Sequence, residues 1–360
     1  MRGTLLGGTG VGIALALAGV ASADTIKVHN THDHGRGSLR KAIQNAAPGD
    51  KIKVPQGHYE LTSGEIFIGV PLNIKGAGAR KTIVDANGES RVFEIDYGPG
   101  HVKFQEMTIR EGNTIEGNTS EDGGGIEAVN LSKLVLSKVA VLNNRVINDV
   151  AASSGGGVDV SGDLVIKQSL FAGNHGYNGG AVSGSGDITA TDSTFFNNFG
   201  GNPTQNGNGG VVDEELTLID STVAGNQCFN GDGCGGGIAA GGTLKGTIVA
   251  DNVAYEANGM PAGSPGNPGE GNNCSGTIDS RGHNLEDHHD CALMDPTDVF
   301  QRNPQLGSLR GNGGPTDTLA IPHTSPAFNA GAAHCTHRDQ RGVARPQGNR
   351  CDIGAFELVR

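Results

Sequence analysis

Asp192 and Asp220 stand at the same place in two copies of a repeated segment, ITATDSTFFNN (Ile188 to Asn198) and LTLIDSTVAGN (Leu216 to Asn226). If the copies stack as strands, the two carboxylates lie about 4.8 Å apart, which suits a weak calcium site. Sister copies carry Lys138 and Gln168 there, so a solvated surface position is the first reading and calcium the alternative. The densest group of metal-ligand types is His283, Asp287, His288, His289 and Asp290. A metal centre needs fixed geometry, and these residues read as exposed side chains of a polar loop. Asp159 and Asp163 flank Ser161-Gly162 and read as turn acids.

The elements that must position these residues are the repeats. LVLSKVAVLNN (Leu134 to Asn144) and LVIKQSLFAGN (Leu164 to Asn174) align without a gap to the two segments above, and a shortened copy ends at Asn252. Apolar residues alternate with polar ones, as in Leu164, Ile166 and Leu216, Leu218. Period two means strand, and no copy holds the stripe a helical repeat requires. Two short strands per copy, plus one after each glycine run (Gly155 to Gly157, Gly179-Gly180, Gly209-Gly210, Gly235 to Gly237), build a solenoid. The expected fold is all-β: a right-handed parallel β-helix. Asn144, Asn174, Asn198, Asn226 and Asn252 close corresponding strands and are expected to form a structural amide ladder.

The repeats span roughly residues 50–300. Ahead of them, in residues 24–49, a short strand leads to a helix capped by Ser38, with Leu39, Ala42, Ile43 and Ala46 on one face and Pro48-Gly49 as its stop. Such a helix covers the open end of the first coil. Residues 1–23 read as a secretory signal: Arg2, an apolar run from Leu5 to Val20, and Ala21-Ser22-Ala23 before Asp24. No later stretch is apolar enough to span a bilayer. An exported chain favours disulfides, and sequence proximity pairs Cys228 with Cys234, Cys274 with Cys291 and Cys335 with Cys351. A net charge of −12 disfavours nucleic acid and anionic lipid as partners of the chain as a whole. Tyr255 to Asn273, rich in Gly, Pro and Asn, reads as an excursion from one coil.

Two terminal segments carry a family resemblance. GSLRKAIQNAAPGDKIKVPQGHYELTSGE resembles the N-terminal segment of secreted bacterial proteins named for a CSLREA motif, which look like right-handed parallel β-helices. Gly37 stands where that motif has Cys, and Lys41 where it has the Glu of a capping box. Residues 301–360 contain NPQLG, NGGPT, SPAFNAG, DQRG, RPQG and CDIGAFE, in that order. They resemble the C-terminal region of bacterial surface proteins called choice-of-anchor Q. The expectation is a disulfide-closed C-terminal cap, with Asp339, Arg341 and Arg345 forming ion pairs that lock it to the solenoid.

Function is harder to read. The β-helix is shared with pectate lyases and polygalacturonases, so the site must decide. A uronate lyase needs calcium-holding carboxylates and a basic residue for the α-proton. From Glu111 to Ser280 the sequence holds one arginine, Arg145, with Lys133, Lys138, Lys167 and Lys245 scattered. A glycoside hydrolase needs clustered acids, and no adjacent Asp-Asp pair, Gly-His-Gly or Arg-x-Lys signature occurs. Of the aromatic residues, Phe171 and Phe195 read as core, leaving Tyr177, Phe196 and Phe199 as sugar platforms. The expectation is a secreted or cell-surface, adhesin-like protein without catalytic residues or organic cofactor, presenting a flat face to an extracellular glycan or surface ligand. The alternatives are a polysaccharide lyase or glycoside hydrolase on the same fold, and a structural envelope or matrix protein. Three or more carboxylates with an arginine or lysine on one face would favour the enzyme.

Overall fold

The computed structural model describes residues 23–114, 122–146, 154–201, 209–229, 234–255 and 273–359. The expected signal segment and the stretch after Tyr255 fall almost entirely outside the described residues. Each short strand pairs in parallel with its counterpart one repeat earlier and one repeat later. Leu134, Leu164, Ile188 and Leu216 stack in one inward column; Leu136, Ile166, Ala190 and Leu218 stack in the next. All are buried, and each fully buried leucine stabilises the coil by roughly 1.5–3 kcal/mol. The chain is an all-β parallel β-helix.

Four sheets result. The ten-stranded sheet runs from Thr25–Lys27 to Thr277–Ser280, and the nine-stranded sheet from Gly57–Glu60 to Leu285–Glu286. The five-stranded sheet runs from Ile66–Ile68 to Val182–Gly184 and continues through single bridges to Val212, Ile238 and Cys274. The six-stranded sheet consists of very short strands, from Asn113–Thr114 to Val253–Tyr255. It is one strand per coil more than the repeats suggested.

The corners explain the polar residues of the repeat. Between the ten- and nine-stranded sheets the backbone turns left-handed at Glu106, Lys138, Gln168, Asp192 and Asp220, with φ of 55°, 57°, 49°, 48° and 47°. From Lys138 onward the residue after the turn feeds a hydroxyl ladder: the N–H of Val139 donates to Ser169 Oγ, that of Ser169 to Ser193 Oγ, and that of Ser193 to Ser221 Oγ, each at 3.2 Å. At the next corner the left-handed residue precedes the asparagine, as at Asn143 and Asn197. The asparagines themselves point inward. Asn144 Nδ2 donates to Asn174 Oδ1 at 3.0 Å, and Asn174 to Asn198, Asn198 to Asn226 and Asn226 to Asn252 at 2.9 Å. The column continues to Asn273, whose Oδ1 accepts from Asn252. Gly210 must lack a side chain, since a Cβ there would lie 1.9 Å from the Gly236 carbonyl oxygen.

Helix α1 spans Leu39–Gln44, shorter than the Pro48-Gly49 stop implied; Ser38 Oγ accepts from the Lys41 N–H at 3.2 Å. Leu39, Ala42 and Ile43 enter the main core and cover the first coil. At the other end Val299 pairs with Leu285, Leu293 joins the core, and Cys274 bonds Cys291. The disulfide-closed C-terminal segment covers a flank as well as an end. It reaches His283 in the last coil through Arg350, and Arg80 in an early coil through Gly314 and Asp317. Ile321, Ala327, Ile353 and Phe356 pack on Ile248 and Leu285 of the nine-stranded sheet. Disulfides also join Cys228 to Cys234 and Cys335 to Cys351. Among the described residues no helix is long and apolar enough to cross a membrane.

Candidate functional site

Asp192 and Asp220 are neither solvated nor open to calcium; both are buried. The C-terminal segment lies over them, and Thr336 donates its hydroxyl to Asp192 (2.6 Å) and its N–H to Asp220 (2.8 Å). The buried guanidinium of Arg345 stands 4.0 Å from Asp192 and 3.9 Å from Asp220, and fills the place of a cation. Burial pushes Asp192 up to about 7 in spite of that charge. Arg341 pairs with Asp339 at 2.8 Å and lies over the Phe356 ring. This cluster fastens the segment to the coil.

The histidine-rich loop is divided among separate tasks. Arg350 donates to the His283 ring, and His289 stacks on Phe300. Asp287 accepts from Asn273 Nδ2 and the Asp251 N–H, closing the asparagine column. Glu286, Asp290 and Cys291 lie within ligand reach of one another, but the Cys291 sulfur belongs to a disulfide. Glu286 is fully buried and opposes Asp290. Burial, then this carboxyl neighbour, pushes it up to about 8. An unfolded glutamic acid loses its proton near pH 4.5, so between there and about pH 8 the folded chain holds the extra proton. Stability therefore falls as pH rises through that window. Glu286→Gln replaces the retained carboxyl proton with an amide donor. It is expected to remove a loss on the order of 2 kcal/mol between pH 5 and 8, checked by urea unfolding at both pH values. An unchanged pH slope would disprove the retained proton.

The chemistry lies on another face. Asp159 is not a turn acid; it sits in the middle of the strand Val158–Val160 and points outward from the five-stranded sheet. Register places Phe67, Glu94, Glu127, Asp159 and Ser183 in one outward row, on successive rungs about 4.8 Å apart. The following bridge, Val182 to Val212, brings Asp213 next. Ser183 Oγ donates to Asp213 Oδ2 at 3.2 Å and stands one rung from Asp159.

Electrostatics separates these acids. The side chain of Arg91 is buried and pairs with Glu65 and Glu127, each at 2.8 Å. It also donates to the carbonyls of Asp122 and Gly123. Burial pushes Asp159 up to about 7, with Asp122, Glu127 and Asp213 adding repulsion and the Ser183 hydroxyl opposing it. Burial also raises Asp213, to about 6. Asp213 Oδ1 is buried without a hydrogen-bond donor among the described residues. Glu94 is raised by burial and by its carboxyl neighbour Glu65.

The repeats hide this row because its members differ in type, although Glu127, Asp159, Ser183 and Asp213 each stand four residues after the start of a glycine run. That offset, with the alternation in Ile126-Glu127-Ala128 and Val158-Asp159-Val160, was the available signal. The other candidates lie elsewhere. Arg145 and Phe199 belong to the six-stranded sheet, where each neighbours His175. Lys133 pairs with Asp163 on the ten-stranded sheet, which also carries Lys167 and Lys245. Phe171 stacks on Phe195 in the core, and Phe196 packs beside Leu309 under the C-terminal segment.

No protein-family model matches the chain, and no curated protein does. Among solved structures, the crystal structure of pectate lyase Pel9A is similar over 93% of this chain and 97% of that one, with 14% identity and a TM-score of 0.37. The parallel β-helix assignment rests on the strand pairing itself.

Proposed function

We propose that this chain is a carbohydrate-active enzyme that hydrolyses a glycosidic bond with Asp159 as acid and Asp213 as base. The arrangement that carries the reading is two carboxyl groups on one outward face, two rungs apart, with Ser183 on the rung between them. Two rungs set the backbones about 9.6 Å apart, on the scale of the two carboxyl groups that flank the scissile bond in glycoside hydrolases.

Near pH 7 a substantial part of Asp159 holds its proton, ready for the leaving oxygen, while Asp213 is mostly ionised. Lyase chemistry is less well supported, because the arginine on this face, Arg91, is committed to Glu65 and Glu127. At the far end of the row Phe67 is 51% exposed and lines a cavity of about 460 Å³ with Arg40, Gln44 and Glu65. An aromatic face beside polar groups suits a sugar ring. The adhesin reading has no comparable cluster behind it. The disulfides fit an extracellular setting, as do the signal-like start and the two terminal resemblances.

The test is incubation of the purified chain with a panel of neutral glycans and polyuronates, scoring reducing ends and unsaturated products separately. New reducing ends without unsaturation support the proposal. Unsaturated products would point to a lyase, and retention of a glycan without cleavage to an adhesin.

A further inference from the structure

The ten-stranded sheet carries a second charged surface of opposite sign. Register stacks Lys27, Lys53 and Lys75 in one outward row, which continues through the uncharged Gln105 and Ser137. The neighbouring row holds Lys51, Asn73 and Lys103. Lys27, Lys51, Lys53 and Lys75 are exposed, with inward Ile52 and Ile74 between them. Lys75 pairs with Glu106 at 3.2 Å; among the described residues no ion pair forms on Lys27, Lys51, Lys53 or Lys103. The rows meet the edge of the coil at a pocket of about 430 Å³ lined by Lys27, His29, Arg36, Ser38, Lys41 and Asn45, with no carboxylate in its wall.

Like charges directly opposite one another on a sheet are destabilising, so the stack does not serve the fold. The net charge of −12 does not cancel it. Exposed charges are screened beyond about 8 Å at physiological ionic strength, and a ligand on this face feels the lysines first. We propose that these rows and the pocket bind a linear polyanionic glycan, one acidic sugar per rung along the Lys27–Lys53–Lys75 row. One carboxylate per pyranose spaces negative charge on a scale comparable to one rung. Duplex DNA is denser, at one charge per about 1.7 Å of axis. No exposed aromatic or aliphatic residue interleaves with these lysines, as a helix seated in a lipid surface would require. The surface is independent of the acid row, and its binding holds whether or not that row cleaves.

The experiment is affinity electrophoresis of the full chain in polygalacturonate, with a neutral glycan as control. It is run on an Asp159→Asn background so that cleavage cannot consume the probe. Binding should weaken with added salt. The triple variant Lys27→Gln/Lys53→Gln/Lys75→Gln should bind about tenfold more weakly or less, with a thermal midpoint equal to or above that of its parent. Lys53→Glu alone should also weaken binding, while Lys245→Gln, far along the same sheet, should not. Equal binding by the triple variant and its parent would overturn the proposal. So would tighter binding to duplex DNA or phosphatidylserine vesicles than to polygalacturonate.

Discussion

Asp159→Asn is expected to lower turnover on a cleaved glycan by about 10²–10⁴-fold, the usual contribution of a positioned acid, while substrate binding changes little. The amide keeps the shape of the side chain, and it removes the proton that must reach the leaving oxygen. The pH dependence of the parent follows from the same pair. Activity should fall below about pH 6 as Asp213 gains a proton, and fall above about pH 7 as Asp159 loses its own. Asp159→Asn should abolish the alkaline limb, and Asp213→Asn the acid limb. Parallel loss of activity in both variants with an unchanged bell would refute this assignment of acid and base.

Asn198→Ala is expected to cost about 3–6 kcal/mol of stability, because each orphaned buried group costs about 1–3 kcal/mol. The side chain is fully buried. Its Oδ1 accepts from both the N–H and Nδ2 of Asn174, at 3.1 and 2.9 Å. Its Nδ2 donates to Asn226 Oδ1 and to the Phe171 carbonyl. Truncation strands two donors and a carbonyl in a place water does not reach. Asn197→Ala, one residue earlier, leaves the column intact and meets only the left-handed backbone, φ 52°, at about 1–2 kcal/mol. Urea unfolding of the two variants separates the cases; equal losses would show that the amide column adds nothing beyond the turn.

The parts of the protein that were legible in the sequence are those that repeat. Leu164-x-Ile166 and Leu216-x-Leu218 announce a strand with one wet face, and a gapless alignment of such segments announces parallel stacking. Asn144 to Asn252 recur because every coil has the same corner to close. The hydroxyl column at Ser169, Ser193 and Ser221 was equally regular and escaped notice, since serine beside a turn is common. The capping helix was visible from Ser38 and its apolar face, and its early end at Gln44 was not, because Pro48 sets only the latest possible stop.

What could not be read was any contact between residues far apart in the chain. Asp192 and Asp220 looked exposed because their repeat position is exposed in principle; Arg345 and Thr336, arriving from more than a hundred residues away, bury them. Lys27, Lys53 and Lys75 each follow an isoleucine, Ile26, Ile52 and Ile74, a two-residue recurrence at unequal intervals that becomes a row only when three coils are superposed. Glu127, Asp159, Ser183 and Asp213 follow the glycine runs at one fixed offset, but they differ in type, so the repeat does not mark them as a set with chemistry. By itself, then, the sequence determined the periodic backbone, its corners and its inward hydrophobes, because those depend on spacing within one coil. The tertiary structure alone decided which outward side chains share a rung row and which the C-terminal segment covers. Both follow from register and from a long-range return of the chain, and neither is encoded in the local alternation of apolar and polar residues.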